Sequence, residues 1–244
     1  KEKKPKIEVV RSARHAEALL KDDHHLVAVV SDVNLKMKVP VFGMEDIEQL
    51  ARHAHTYWAK AYVTINTILH DAEIPEAVHL IHELDDIGVD GIIIQDVGLL
   101  ESDLPSLPLI ASTQMHNHTP ERVAFLEQIG IQRVILAREL SLPQIRAIRA
   151  RTSIELETFI HGALCVSYSG QCYMSYAIGG RSGNRGECAQ PCRRRYTLVD
   201  RDGRPIAEDK YLLSLRDLSL SEYLGELLDA GITSFKIEGR LKDQ

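Results

Sequence analysis

Short apolar runs alternate with helical patterns along most of the 244 residues, and this alternation constrains the fold more than any other feature of the chain. Strands are predicted at Ile7 to Val10, Leu26 to Val30 and Ala61 to Ile65, with helices at His15 to Leu20 and Met44 to His53 between them. A helix from Pro75 to Leu84 puts Ala77, Leu80, Ile81 and Leu84 on one face, and Gly88 supplies a left-handed residue to end it. The run Gly91-Ile92-Ile93-Ile94 is apolar on both faces, as strands of a helix-covered parallel sheet are. A strand at Leu109 to Ala111 follows, then a helix opened by Thr119-Pro120-Glu121 and closed by Gly130, where threonine caps and proline fills the first turn. Strand Val134 to Ala137, a helix started by Ser141-Leu142-Pro143, strand Ile154 to Ile160, helix Ser221 to Leu228 and strand Ser234 to Ile237 complete the pattern. About eight strands with intervening helices, in the length of one barrel, predict an α/β fold of the (β/α)8 TIM-like type, incomplete or irregular in places. It would span 1–244 as one domain, with a cysteine-rich insertion at 162–205 over the C-terminal rim. An open doubly wound sheet is the alternative.

All four cysteines, Cys165, Cys172, Cys188 and Cys192, fall within twenty-eight positions. Scattered structural cysteines behave as small buried hydrophobes and would not share one glycine-rich segment. No apolar leader core is visible and the chain is long enough to bury a core without staples, so a shared metal centre outranks disulfides. The intervals of six, fifteen and three residues lack the paired short knuckles of a zinc ribbon. Uneven spacing suits a loop wrapped round an iron–sulfur cluster, and zinc stays open as the alternative.

With 29 Lys plus Arg against 35 Asp plus Glu, the net charge of −6 excludes a globally basic nucleic-acid binder. A local patch remains, because Arg181, Arg185, Arg193, Arg194, Arg195, Arg201 and Arg204 surround the last two cysteines. Guanidinium groups suit phosphates and carboxylates, so the patch points to an anionic substrate or an RNA backbone. No apolar run is long enough to span a membrane, and a cytoplasmic protein without membrane partners is expected. Barrels carry their chemistry at the C-terminal ends of strands. Those ends here are polar: Ser31-Asp32 and Asn34, Asn66 and His70, Gln95-Asp96, Ser112-Thr113-Gln114 with His116 and His118, Arg138-Glu139, His161-Gly162, and Lys236 with Glu238 and Arg240. Glu155 and Glu157 share one face of their strand, where they need either arginine partners or an acid–base role.

The run Glu155-Leu156-Glu157-Thr158-Phe159-Ile160-His161-Gly162-Ala163-Leu164-Cys165, continued by Tyr168-Ser169-Gly170-Gln171-Cys172-Tyr173-Met174-Ser175, resembles the signature of the collagenase-like peptidase family, peptidases of unknown catalytic type. Asn66, Ser112-Thr113-Gln114, Arg138-Glu139-Leu140-Ser141, Asn184-Arg185-Gly186-Glu187-Cys188, Cys192-Arg193 and Phe235-Lys236-Ile237-Glu238-Gly239-Arg240 add to the likeness. Some members are described as collagenolytic; others resemble enzymes that hydroxylate ubiquinone precursors without oxygen, or the wobble uridine of transfer RNA with prephenate-derived chemistry. The Arg138-Glu139-Leu140-Ser141 run and the cysteine spacing are most similar to the transfer-RNA branch. That resemblance implies a [4Fe-4S] cluster on Cys165, Cys172, Cys188 and Cys192, with transfer RNA, prephenate or a derivative, and a paralogous family subunit as partners. Some relatives carry a cysteine after an Asp-Leu pair where this chain has Asp217-Leu218-Ser219, so Cys192 is taken as the fourth ligand. The ending soon after Lys242 and the lysine-rich opening suggest a trimmed or divergent member.

These readings nominate His161, Glu157 and Tyr168 for catalysis. Asn66, Gln114, Arg138, Arg181, Arg185, Arg193, Lys236 and Arg240 are nominated for substrate binding. Three functions follow: an iron–sulfur-dependent hydroxylase of the wobble uridine, a peptidase, or a non-catalytic subunit with a structural metal. The peptidase reading lacks a Gly-X-Ser-X-Gly elbow and a His-Glu-X-X-His helix.

Overall fold

The computed structural model describes the backbone of residues 28–32 and the full residues 43–238. The expected elements at Ile7 to Val10 and His15 to Leu20, together with Asn34 and Arg240, lie outside the described residues. Seven parallel strands follow one another in space: β1 (Ala28–Asp32), β2 (Lys60–Ile65), β3 (Gly91–Ile94), β4 (Leu109–Ala111), β5 (Arg133–Ile135), β6 (Glu155–Gly162) and β10 (Ser234–Glu238). Helices α1 (Met44–Thr56), α2 (Ile74–Asp86), α3 (Pro120–Gln128) and α4 (Leu142–Arg149) alternate with them, and α6 (Leu224–Asp229) precedes β10. None of the helices among the described residues is long and apolar enough to cross a membrane.

The helices form where the sequence places them. On α2 the buried residues are Ala77, Leu80, Ile81 and Leu84, the i, i+3, i+4, i+7 stripe that faces a sheet. Thr119 caps α3 by accepting a hydrogen bond from the Arg122 N–H, and Pro120 sits where its missing N–H costs nothing. Gly88 takes φ +81° just past α2, a conformation that carries a steric penalty for residues with a Cβ.

Two separate apolar clusters distinguish a barrel from a flat, doubly wound sheet. Ile92, Ile94, Val134, Leu136 and Leu156 pack outward against the buried faces of α1 to α4. The alternate residues Tyr62, Ile93, Ile110, Ile135 and Phe159, one from each of β2 to β6, instead pack on one another in a cluster with no helical member. Strand side chains alternate between faces, so a sheet whose inner face packs only on itself must be curled. The predicted TIM-like fold is thus correct in kind, in the form of a partial barrel among the described residues.

Several boundaries differ from expectation. The strand predicted at Val134 to Ala137 is Arg133–Ile135, and the helix predicted at Ser221 to Leu228 divides into a 3-10 turn at Ser221–Tyr223 and α6. The segment between β6 and the short β9 (Leu218–Ser219) extends past the expected 205. It holds helix α5 (Met174–Gly179) and an antiparallel hairpin, β7 (Tyr196–Val199) with β8 (Pro205–Lys210), that the strand reading did not foresee. β9 returns antiparallel to the end of β6, pairing His161 with Ser219.

Candidate functional site

The cysteine segment is fastened over the C-terminal mouth of the barrel at several points. After β2, Arg185 donates to the Ile68 carbonyl at 2.6 Å and to both carboxylate oxygens of Glu73 at 2.8 and 3.0 Å, while the Ile68 N–H donates to the Asn184 carbonyl. After β5, Glu139 accepts from the Ser169 N–H at 3.0 Å and the Ser169 hydroxyl at 2.9 Å, and the Arg138 N–H donates to that hydroxyl. After β4, Gly170 approaches the chain so closely that a Cβ there would lie 1.9 Å from the Gln114 carbonyl oxygen. Arg193 ties the segment to itself, donating to Ser214 Oγ and to the Leu215 and Leu164 carbonyls.

All four cysteines are free thiols, Cys172 and Cys192 half-buried and Cys165 and Cys188 exposed. Burial pushes the Cys192 thiol up, and Cys165, Cys188 and Cys172 push it further, against a downward pull from Arg193. No group of three or more His, Cys, Asp or Glu side chains among the described residues is arranged to hold a single metal ion.

Inside the mouth, the Arg138 guanidinium lies over the Phe159 ring at 4.3 Å and Lys236 Nζ lies 5.7 Å from the same ring. Arg138 also approaches Glu238 at 3.9 Å. Asn66 Nδ2 donates to Ser112 Oγ at 3.4 Å, and Gln95 Nε2 donates to the Gln114 carbonyl at 3.3 Å. The buried Gln95 Oε1 accepts no hydrogen bond from the described residues, which leaves an acceptor for a ligand or water. Beside this mouth a cavity of about 250 Å³ opens between Leu142, Phe159, Leu220, Tyr223 and Leu227, with Arg138 the one cation among the described residues that line it.

The nominated residues fall into three groups. Asn66, Gln114, Arg138 and Lys236 lie at the mouth. Arg185 and Arg193 are staples of the fold, because their guanidinium groups already satisfy carbonyls and a carboxylate. Arg181 likewise donates to the Glu187 carbonyl within the segment. His161, Glu157 and Tyr168 do not form a triad, and no hydrogen bond or ring contact joins any two of them. Glu157 is buried inside the barrel, held by Arg133 at 3.3 Å, Ser234 Oγ at 2.8 Å and Lys236 at 3.9 Å, so arginine pairing accounts for it. Arg133 also binds Glu155 at 2.7 Å. His161 and Tyr168 are exposed.

The sequence reading did not single out Asn117, and it noted His116 and His118 among the polar strand ends. Asn117 is fully buried and pins the loop after β4 by donating to the Ser112 and Ile135 carbonyls at 2.8 and 2.9 Å. His116 adopts φ +56°, a left-handed strain of about 1–2 kcal/mol for a residue with a Cβ. Its ring stacks on His118 with centroids 3.8 Å apart, and its Nε2 lies 3.5 Å from Glu139 Oε1. Burial lowers the His116 pKa, with His118 and Arg122 pushing the same way and Glu139 opposing them. The spacing of two between the histidines was visible, but the partner Glu139 arrives from the next strand end.

A curled parallel sheet with a polar mouth, capped by a segment that carries four free thiols, defines a protein of the α/β-barrel class. The chain belongs to peptidase family U32, whose model matches residues 13–244. It is 54% identical over 201 residues to the 23S rRNA 5-hydroxycytidine C2501 synthase of Escherichia coli K12, covering 82% of this chain and 31% of that protein. It is 36% identical over 220 residues to tRNA hydroxylation protein P1 of Bacillus subtilis, covering 86% and 52%. The chain thus spans about a third to a half of the length of these relatives. The solved structure of the U32 peptidase Mk0906 matches with a TM-score of 0.61 at 17% identity, over 99% of this chain and 94% of that one, which shows a shared fold.

Proposed function

We propose that this chain forms the catalytic barrel of an RNA hydroxylase that adds oxygen to a pyrimidine base. The observation that carries the reading is the segment bearing all four free thiols, fastened over a polar barrel mouth through Ser169–Glu139 and Arg185–Ile68. Relatives named for hydroxylation of ribosomal and transfer RNA support the substrate class. The stronger likeness to the ribosomal cytidine enzyme favours a cytidine in ribosomal RNA, with the wobble uridine of transfer RNA as the second target.

Cys165, Cys172, Cys188 and Cys192 would hold a [4Fe-4S] cluster. The intervals of six, fifteen and three residues between them lack the paired short knuckles of a zinc ribbon, which favours the cluster over zinc. When bound, such a cluster supplies one-electron chemistry. The chain's own residues do the positioning. Arg138 and Lys236, each also facing a carboxylate, bring a guanidinium and an ammonium group to the mouth that a phosphate or a carboxylate could engage. Asn66, Gln95 and Gln114 offer amides to the edge of a base. The cavity beside Arg138 suits an amphipathic carboxylate, the chemical class of the expected donor, prephenate or a derivative. A peptidase needs an activated nucleophile, and no serine hydroxyl or cysteine thiol among the described residues is hydrogen-bonded to a histidine.

The test has two parts. Protein purified without oxygen should contain about four irons per chain with matching labile sulfide. Cells lacking the gene should lose a hydroxylated pyrimidine from their RNA by nucleoside mass spectrometry, with restoration by the wild-type gene and not by Cys165→Ser. Stoichiometric zinc without iron, or an unchanged nucleoside profile, would overturn the reading.

A further inference from the structure

We propose that Tyr168, His116 and His118 form a stacking ledge for an unpaired nucleobase beside the barrel mouth, so that the RNA must be single-stranded or opened where it meets this protein. The inference rests on the RNA reading above and deepens it.

Three rings from two separate segments meet here. His116 and His118 lie nearly parallel, 10° apart with centroids at 3.8 Å, and the Tyr168 ring lies 5.9 Å from His116 at 37°. Tyr168 is 67% exposed although its neighbour Ser169 is buried, so the chain anchors through the serine and holds the phenol ring outward. The Ser169–Glu139 bonds and the tight seat of Gly170 on Gln114 fix the backbone that follows Tyr168.

The histidine side is equally fixed. The left-handed backbone at His116 would relax if it were free to do so. It is held by the hydrogen bond between His118 Nδ1 and the His116 carbonyl at 2.8 Å, by Glu139, and by Asn117, whose amide is tied to the carbonyls of Ser112 and Ile135. The strain is therefore retained at the ligand-facing end of a strand, the place where such outliers gather at functional sites. The two rings form one parallel aromatic stack, with part of the His116 side chain left open to solvent.

Every base has a π face, and proteins that take single strands use exposed Tyr and His rings to stack them. In a duplex those faces are covered by neighbouring pairs. A ledge adjoining the mouth, a few residues from Gln114, would hold the base flanking the one that enters the barrel. Arg138 and Lys236 stand within the mouth for the accompanying phosphate.

The test is fluorescence anisotropy with the metal-loaded protein and a labelled pyrimidine-rich RNA of about a dozen nucleotides, alone and annealed to its complement. The single strand should bind more tightly than the duplex. Tyr168→Leu should weaken single-strand binding about 5- to 100-fold, the range for losing one stacked base, and Tyr168→Phe, which keeps the ring, should hold wild-type affinity. Circular dichroism on each variant separates a lost ring from a lost fold, and His116→Leu should reproduce the loss from the other side of the ledge. Binding of the single strand that is indifferent to both Tyr168→Leu and His116→Leu, or equal to duplex binding, would overturn the ledge and leave the RNA reading standing. Failure of wild-type protein to bind either RNA at low salt would overturn the RNA reading and the ledge with it.

Discussion

Replacing Gly170 with alanine should unseat the cysteine segment while sparing the barrel beneath it. Gly170 has φ +70°, and a Cβ on it would lie 1.9 Å from the Gln114 carbonyl oxygen and 2.7 Å from the carbonyl carbon. Both obstacles are backbone, so no side chain can swing away; the two chains must part by about 1 Å to restore a tolerable contact. The left-handed conformation adds about 1–2 kcal/mol and the overpacking about 1–3 kcal/mol, giving about 2–5 kcal/mol in all. That cost falls on a local seat, because the neighbouring Ser169 bonds to Glu139 sit on the same contact while the inner cluster of Tyr62, Ile93, Ile110, Ile135 and Phe159 is untouched. Hydrogen exchange should show lost protection across 163–173, unchanged protection in β2 to β5, and a fall in iron per chain. Wild-type protection of 163–173 together with full iron content would refute the reasoning.

Other perturbations test the remaining parts of the site. Arg133→Ala removes the cation shared by Glu155 and Glu157 but leaves Glu157 with Lys236 and Ser234 and Glu155 partly in solvent, and should cost about 1–3 kcal/mol in urea unfolding; no measurable loss would place the pair in solvent-like surroundings. The folded chain lowers the His116 pKa from 6.5, so the unfolded chain binds that proton more tightly. Stability from this group is complete above pH 6.5, declines as pH falls from 6.5 to the folded pKa, and is level below it. An NMR titration should give His116 a midpoint below 6.5, and His116→Gln should remove its share of the difference between about pH 7.5 and about pH 5.5; a midpoint at or above 6.5 would contradict the buried stack. Cys192→Ser should lower iron per chain with the far-ultraviolet spectrum unchanged, and full retention of iron would mean that the fourth ligand lies elsewhere.

The elements that sequence reading found are those whose signal is local. The α2 stripe, the Thr119 cap and the doubly apolar Gly91–Ile94 each report an environment set by a few neighbouring residues, and each is where the reading placed it. The β7–β8 hairpin was legible too: Asp202-Gly203 sits between its strands, a turn signal that the clustered cysteines and arginines overshadowed. The site divides along the same line. Cysteines announce themselves by residue type, but an arginine discloses only its charge. Arg185 meets Glu73 and Ile68 across 112 and 117 residues of chain, so nothing near it in sequence could show that it is a staple. Glu157 followed the arginine pairing that its strand face suggested, whereas the His116–Glu139 contact required knowing that β4 and β5 are neighbours.

Strands β2 to β6 each pair with the strand made just before, but β10 closes on β6 only after the whole cysteine segment has been threaded between them. Synthesis runs from the N-terminus, and a contact this distant along the chain must wait for its second half. The thiols therefore leave the ribosome before the β10 stave of the wall below them. Of the strand pairs among the described residues, the seam between β6 and β10 is the last to have both its halves made.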